Sequence, residues 1–510
     1  MRVEGIMRKE HNIIKGCGFV EKLEFFNSYK REMVDFFGYD IEFIIGDSSK
    51  EVEFYCEVPS IILSTFSDVL KPQVLSAHRV LENYYEENKV HPRYSSTLLE
   101  EISIDIIRYL GAQTSIENIY KFVQSLKEIS LKTYENESVS LGIIYFPQRT
   151  RAKTENRLNK MKLDYIPFDD VTDLKTLIDS DKLIRKIIDG KSLALVVNDE
   201  LKVTGLAKKR KEGKSIKQEI FSKFDVFEAT RHELLIKSYV KAIFEDSKQK
   251  LTDFPDVNEA IIRTFEESYD IPQEAIERFK KSQCDYHYID IENRNVNWNF
   301  SNNYMLTHSE GGWKLRDYNL LLILIVELLY LVQKKLFYLS SSLMGDFDFI
   351  KDLVAKVSHF VNTIKGNASE NIGSLFIILK EEVKDMLYRT RRDQKSLEIY
   401  NKKFKELLRN EGISLKFYEK TIRDGEYLIN INDMDNYYLQ LISSVDGAVI
   451  LDPYFNLISY GEMIKSEGVK GIRGARSSAA LGGSKFGLAI KVSEDSDVTV
   501  YWGEDEMMRI

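Results

Sequence analysis

The chain is poor in cysteine and glycine and has no excess of positive charge. Its 510 residues include three cysteines and 26 glycines. The cysteines are far apart and form no pair of Cys-x-x-Cys motifs, which favours a reducing, cytoplasmic environment. The 80 acidic residues outnumber the 72 basic ones, so the formal net charge is -8. That balance excludes a global basic field of the kind that holds nucleic acid, and nucleic acid is not an expected partner.

A long uncharged apolar run is also absent. The strongest run, from Leu320 to Val332, contains Glu327 and is shorter than the roughly 20 residues that a membrane span needs. We therefore predict a buried helix there, with Asp317 or Asn319 as its N-cap. Charges interrupt the first residues, MRVEGIMRKEHN, which is not typical of a signal peptide. No membrane association is expected.

The composition is that of a soluble globular protein, with 43% apolar and 30% charged residues, and the length corresponds to about two to four domains. We predict an α/β fold class and three regions: an α/β sensor domain over 1–215, a mainly helical connecting region over 216–344 and a mixed α/β domain over 345–510. In the first region, VSLGIIYF (139–146), a helical stretch, SLALVVND and ELKVTGLA occur in this order. This order predicts a βαβ unit with an extra hairpin strand.

Two local patterns receive the simpler interpretation. The basic run 208–217, KKRKEGKSIK, is interpreted as a solvated loop in preference to a phosphate-binding patch. Cys284 and His287 have a spacing that metal ligands use, but no second pair lies near them in the sequence. Because a zinc site normally takes four ligands, no metal is expected there.

The last third of the chain alternates apolar segments with glycine. An amphipathic helix (347–364), a turn at GNASEN, a buried strand IGSLFIIL, a polar helix (393–409) and a short helix DNYYLQLISS precede VDGAVILD and NLISYGEM. The segment GIRGARSSAALGGSK (471–485) then holds four glycines, and FGLAIKVSE and DVTVYW follow it. This pattern predicts a sheet whose strands are joined by glycine turns.

Two predicted loops of this sheet lack large side chains. They are Asp446-Gly447-Ala448 and Gly474-Ala475-Arg476-Ser477-Ser478-Ala479. Glycine permits close backbone approach, so such loops present N–H groups to anionic oxygens, and a following helix adds its positive end. Arg476 adds a planar fork for phosphate, the serines add hydroxyl donors, and Asp446 suits a divalent metal or a ribose hydroxyl. A glycine-rich turn without a ligand has the same composition, so both interpretations stay open.

Four motifs of the last third occur in a characteristic order. They are GSLFIIL, DGAVILD, a G-x-R-x-x-A-A-L-G segment and a strand ending in VSED, within about residues 345 to 510. This ordered set resembles the diadenylate cyclase (DAC) domain. The resemblance implies a mixed α/β domain with a central twisted sheet, and an enzyme that condenses two ATP into cyclic di-AMP.

The resemblance also implies how such a site works. Two domains face each other, each holding one ATP, and each ribose 3′-hydroxyl attacks the α-phosphate of the other nucleotide. Asp446 acts at the 3′-hydroxyl with Mg²⁺ or Mn²⁺, Gly447 and Ala448 line the nucleotide, and the segment 474–478 holds the phosphates. The implied partners are ATP and a second copy of the chain, in a homodimer or a larger homo-oligomer. Whether GTP is also accepted stays open.

Four positions depart from the family pattern. Where the family has Gly-Thr-Arg-His-Arg, this chain has Gly-Ala-Arg-Ser-Ser at 474–478, and Val445 stands before the DGA motif, where histidine is common. The missing phosphate arginine would cost several kcal/mol of charge stabilisation if nothing replaced it. Candidates to replace or assist it are Arg473, Lys470, Lys485 and Glu494.

Three function classes therefore stay open. The first is a working cyclase, the second a domain that binds ATP or a cyclic dinucleotide without turnover, and the third an interaction protein without a nucleotide. For the first two thirds of the chain we predict a ligand-sensing domain, with a scaffold that only sets oligomeric geometry as the alternative. An effector would act by changing the alignment of two cyclase faces, because a shift of about 1 Å can cost about a hundredfold in rate.

Overall fold

The structure is a computed structural model that describes only part of the chain. The described residues are 17–45, 52–57, 75–86, 98–112, 114–134, 137–147, 151–180, 184–211, 215–221, 236–237, 286–300, 304–309, 312–337, 343–380, 423–424, 427–464 and 474–510. The predicted polar helix 393–409 and the candidates Lys470 and Arg473 lie outside these residues, as does Cys284.

The described chain contains both helices and strands. The helices include Cys17–Ser28, Lys30–Phe37, 75–86, Leu98–Tyr109, Ile116–Ser130, Arg151–Lys160, Leu174–Ser180, Ile184–Ile187, 216–221, Tyr318–Phe337, Leu343–Ser369, Asn436–Ser443 and Ala475–Ser484. The strands are β1 Asp40–Ile45, β2 Val52–Glu57, β3 Thr133–Tyr134, β4 Glu137–Ser138, β5 Leu141–Tyr145, β6 Leu163–Thr172, β7 Leu193–Val197, β8 Val203–Lys209, β9 His287–Glu292, β10 Asn295–Asn299, β11 Tyr304–Ser309, β12 Gly312–Asp317, β13 Ser374–Leu379, β14 Arg423–Asp424, β15 Tyr427–Leu428, β16 Ala448–Leu451, β17 Leu457–Glu462, β18 Gly487–Val492, β19 Val498–Trp502 and β20 Asp505–Arg509.

The first large sheet has eight strands in the order β12-β11-β10-β9-β5-β7-β8-β6. Strands β5 and β7 are parallel, with Ile143 opposite Leu195, and β7 forms an antiparallel hairpin with β8. The predicted α/β class is confirmed, and the βαβ unit with its hairpin strand is present. Strand β6, which the sequence analysis did not predict, pairs with β8.

The middle region differs from the prediction of a mainly helical connection. Within it, the described residues 286–300, 304–309 and 312–317 contain β9 to β12, which extend the eight-stranded sheet. The predicted boundary between 215 and 216 therefore divides strands of one sheet. The region contains strands because β9 continues into β10 through a hairpin. Its two turn residues, Asn293 and Arg294, both have positive φ (50° and 67°), as a two-residue turn between antiparallel strands requires.

The apolar helix Tyr318–Phe337 follows β12 directly. The Asp317 carboxylate accepts hydrogen bonds from the backbone N–H groups of Asn319 and Leu320, both at 3.0 Å, so Asp317 is its N-cap. Residues 320–329 are buried, which confirms the prediction of a buried helix. Among the residues that the structure describes, no helix combines the length and hydrophobicity needed to cross a bilayer.

The second large sheet has six strands in the order β17-β16-β13-β18-β19-β20. Strand β13 is the predicted buried strand, and it is parallel to β16 and antiparallel to β18. The preceding helix runs to Ser369 and includes the GNAS segment that the sequence analysis assigned to a turn. The turn instead comes at Asn371, whose φ is 56°. A single glycine costs a helix interior only about 1 kcal/mol, and tertiary contacts outweigh that cost here.

Candidate functional site

The DGA motif joins the short helix Asn436–Ser443 to β16. Gly447 has φ +112°, and a Cβ at this position would collide with the backbone of Gly461 and Glu462 on the neighbouring β17. Glycine is therefore required by both conformation and space. This packing holds the turn against the sheet, and it leaves Asp446 exposed at the surface.

The second predicted loop is in fact the beginning of a helix. Gly474 is the N-cap, with φ +100°, and Ala475 begins the helix Ala475–Ser484. The N-cap glycine has no side chain to cap this N-terminus, and the backbone N–H groups of the first turn lie at the positive end of the helix dipole. The helix packs closely against the sheet because its residues are small. A Cβ at Gly483 would collide with Ile377 of β13.

Arg476 lies in the first turn of that helix and contacts two other elements. Its Nη1 donates a hydrogen bond to Glu494 Oε1 at 2.8 Å. The guanidinium occupies the space that a side chain at Gly373 would fill. The sequence analysis named Arg476 and Glu494 but did not single out Gly373, although that glycine begins the GSLFIIL motif.

The strand directions bring these residues to one edge of the six-stranded sheet. Strands β13 and β16 are parallel, so Gly373 and Asp446, which precede them, lie at the same edge. Strand β18 runs antiparallel to β13 with Ser374 opposite Val492, so Glu494 follows β18 at that edge too. We call this the site edge; it consists of Gly373, Asp446, Arg476 and Glu494.

The two serines after Arg476 already have hydrogen-bond partners. Ser478 Oγ donates to the Gly474 carbonyl of its own helix at 3.2 Å. Ser477 Oγ accepts a hydrogen bond from Lys491 Nζ at 3.0 Å. Burial is the largest cause that lowers the pKa of Lys491, and the nearby Arg509 charge lowers it further. Lys491 thus brings a second cation close to the helix start, which the sequence analysis missed because β18 is separated from the helix start in the chain.

Lys485 does not belong to the site edge. It is the C-cap of the helix Ala475–Ser484, and ten helical residues at a rise of 1.5 Å each put about 15 Å between the two helix ends. Its Nζ pairs with Glu504 Oε1 at 2.9 Å. The proposed replacement of the missing phosphate arginine by Lys485 is therefore corrected: the helix carries Lys485 away from Arg476.

Asn367 connects the two segments that lead into the site edge. Its buried Nδ2 donates hydrogen bonds to Ser374 Oγ at 3.0 Å and to Ser443 Oγ at 2.8 Å. Ser374 follows Gly373, and Ser443 is three residues before Asp446. One side chain of the long helix Leu343–Ser369 therefore fixes the start of β13 relative to the DGA turn.

The carboxylates at the site edge suit a divalent metal that binds together with a nucleotide. Among the described residues, no group of three or more His, Cys, Asp or Glu side chains is arranged to hold a metal ion. Mg²⁺ is usually bound by one or two carboxylates together with substrate phosphates. Asp446 and Glu494 are such carboxylates, so their chemistry fits Mg²⁺ or Mn²⁺ in the presence of a nucleotide.

The comparisons with known proteins add no function. No protein-family model and no curated protein matches the chain. Among solved structures, the chain is similar to one described as a hypothetical membrane spanning protein from Bacillus cereus, with 16% sequence identity over 37% of this chain and 90% of that chain. The TM-score of that match is 0.18, and a match this weak supports no argument about fold or function.

Proposed function

We propose that the C-terminal unit, residues 345–510, binds ATP at the site edge and condenses two ATP into cyclic di-AMP when two copies face each other. The observation that supports this proposal is the convergence of Asp446, Arg476 and Glu494 beside a helix N-terminus whose N-cap is glycine. Phosphate groups bind at such helix ends because the N–H groups and the dipole both favour negative charge.

The triphosphate has several donors at this edge. Arg476 pairs with Glu494 through Nη1, and its guanidinium is about one-third exposed, so its other N–H groups can reach a phosphate while that pair is kept. Lys491 supplies a second positive charge behind Ser477. The Glu494 carboxylate is largely exposed, so it can also approach a metal ion.

The reaction needs positioning more than acid–base chemistry. The ribose 3′-oxygen of one nucleotide attacks the α-phosphorus of the other, the bond to the β-phosphate bridging oxygen breaks, and pyrophosphate leaves. Asp446 orients the 3′-hydroxyl and accepts its proton as the new bond forms. A bound Mg²⁺ or Mn²⁺ would neutralise phosphate charge. Holding the two reactants in line supplies most of the rate in such transfers.

The second candidate function is nucleotide binding without turnover. It is favoured by the serines at 477 and 478, whose hydroxyl groups have partners within the protein, in place of the family's histidine and second arginine. In that case the C-terminal unit would serve as a sensor or scaffold for ATP or a cyclic dinucleotide. For both candidates we propose a cytoplasmic location and an N-terminal region that regulates the C-terminal unit.

Product analysis by mass spectrometry tests the proposal. The chain is incubated with isotopically labelled ATP and Mg²⁺ or Mn²⁺, and we expect cyclic di-AMP from the wild type and none from Asp446→Asn. Unchanged turnover in Asp446→Asn contradicts the role given to Asp446. A thermal shift with ATP or cyclic di-AMP but no product supports the second candidate. No shift with either nucleotide, in the presence of metal, overturns both and favours an interaction protein.

A further inference from the structure

The turn between β18 and β19, residues 493–497, contacts the site edge on one side. Its Glu494 pairs with Arg476 at 2.8 Å. Its Ser496 Oγ donates a hydrogen bond to Asn371 Oδ1 at 2.7 Å, two residues before Gly373. The turn therefore holds both the partner of the Arg476 guanidinium and the segment on which that guanidinium lies.

The same turn is held on its other side by the eight-stranded sheet. Lys314 of β12 donates to both carboxylate oxygens of Asp497, at 2.9 and 2.8 Å. Arg316 of the same strand donates to Asp497 Oδ1 at 3.2 Å and to the backbone carbonyl groups of Ser496 and Ile510. Both cations come from a strand that is far from the site edge in sequence.

Arg316 is buried, and its hydrogen-bond partners hold its guanidinium in place. It is 1% exposed, and a buried guanidinium is tolerated only when its N–H groups are satisfied. Thr307 Oγ1 on β11 accepts from its Nε at 3.3 Å, so the arginine is fixed to the eight-stranded sheet at one end and to the turn at the other.

The backbone of the turn is itself in an unusual conformation. Ser496 has φ +68°, in the left-handed region where a residue other than glycine persists only when its surroundings hold it. The turn is held by its own backbone hydrogen bonds, from Ser496 N–H to Ser493 O at 3.0 Å and from Ser493 N–H to Asp497 O at 2.8 Å, and by the contacts of Ser496 with Arg316 and Asn371. Strand β12 thus adds to the contacts that set the position of the turn and of Glu494.

We propose that Lys314 and Arg316 are positioning residues for the site edge: they fix the turn 493–497, and through Glu494 and Ser496 they fix Arg476. The eight-stranded sheet thereby sets the affinity of the site for nucleotide. This inference rests on the proposed function only for the identity of the ligand. If an effector displaced β12, the turn 493–497 would move with it through Asp497, and Arg476 would move with the turn through Glu494.

The experiment compares Lys314→Gln with Lys127→Gln. Lys127 forms a similar half-buried ion pair with Glu100 at 2.6 Å in the N-terminal region and does not contact the turn. Lys314→Arg retains the charge and tests rescue. Arg316→Gln is a stronger variant, and Lys314→Gln keeps the test valid if Arg316→Gln does not fold.

Two measurements are made on each folded variant. Hydrogen–deuterium exchange, without nucleotide, is followed in peptides that cover 371–373, 475–478 and 493–497. ATP affinity is measured by calorimetry with Mg²⁺. For Lys314→Gln we expect faster exchange in all three segments and about tenfold weaker ATP binding, as the loss of a charged hydrogen bond implies. Lys127→Gln and Lys314→Arg should resemble the wild type.

The outcomes separate this inference from the proposed function. Unchanged exchange at 493–497, or faster exchange there without a change at 475–478, overturns the positioning role. If the wild type binds ATP, faster exchange with unchanged ATP affinity overturns it as well. If exchange changes in all three segments but the wild type binds neither ATP nor cyclic di-AMP, the positioning role stands and the proposed function fails.

Discussion

The Arg476 guanidinium lies in the space that a side chain at Gly373 would occupy. This relationship joins a helix start to the residue before a central strand, and it sets where the positive charge sits relative to Asp446. It also makes a glycine outside any turn a determinant of the site. The clash at Gly373 involves the end of a flexible side chain, so a substitution there changes the arginine more than the fold.

Gly373→Ala is therefore expected to displace Arg476. Because the arginine side chain can move aside, the melting temperature should change by less than about 4 °C, which corresponds to about 1 kcal/mol or less. ATP affinity, measured by calorimetry, should fall about tenfold because the Arg476 guanidinium is displaced from its proposed phosphate-binding position. Gly366→Ala is the matched control, since its added methyl group meets the Gln440 side chain instead. Equal ATP affinities of the two variants would contradict this prediction.

Arg476→Gln and Lys485→Gln remove one cation from opposite ends of the same helix. Both side chains form exposed ion pairs, with Glu494 and Glu504 respectively, so each variant should lose at most about 1 kcal/mol of stability. Only Arg476→Gln should weaken ATP binding, by about tenfold to a hundredfold. A comparable loss of affinity in Lys485→Gln would show that the nucleotide extends along the helix, contrary to the site proposed here.

The buried His287 is expected to make the free energy of unfolding depend on pH. Burial lowers the pKa of His287 to about 3, and its neutral Nδ1 accepts a hydrogen bond from Trp298 Nε1 at 2.8 Å. An unfolded histidine has a pKa of about 6.5. The stabilising contribution of the neutral ring is thus fully present above pH 6.5 and is lost as the pH falls towards 3. By pH 5 the free energy of unfolding has fallen by about 2 kcal/mol from this cause.

Thermal unfolding between pH 5 and pH 7 tests that contribution. His287→Gln should unfold at a lower temperature than the wild type at pH 7, because a packed aromatic ring is lost, but its melting temperature should decline less between pH 7 and pH 5. Ile291→Val, a buried substitution on the same strand, is the control for destabilisation alone and should decline as the wild type does. Parallel curves for the wild type and His287→Gln would refute the assigned pKa.

Local signals in the sequence were sufficient for several elements. The apolar run at 320–332 and the aspartate before it predicted a buried helix with its cap, because capping and hydrophobic length act within a few residues. The strand β13 and the βαβ unit were predicted for the same reason. Gly447 was predicted to lie in a loop where glycine permits positive φ, and its φ is +112°.

The segment 474–484 shows where local signals were misleading. The small residues of 474–479 predicted a loop before a helix, yet the helix Ala475–Ser484 already begins within that stretch. Small residues are poor evidence for a loop when a helix must lie close to a sheet, because only a small side chain fits at Gly483 against Ile377. The tertiary contact therefore decided the conformation that propensity alone would disfavour.

The sequence by itself determined the α/β class, most element types in the described C-terminal unit and the residue types suited to a phosphate and a metal. Tertiary structure decided which of those residues meet: Gly373 beneath Arg476, Lys491 beside Ser477, Lys485 at the far helix end, and Arg316 on the turn that carries Glu494. The physical reason is the separation along the chain over which each kind of interaction acts. Caps, periodicity and glycine turns act over a few residues, whereas strand register and buried ion pairs join residues that the chain separates by tens to hundreds of positions.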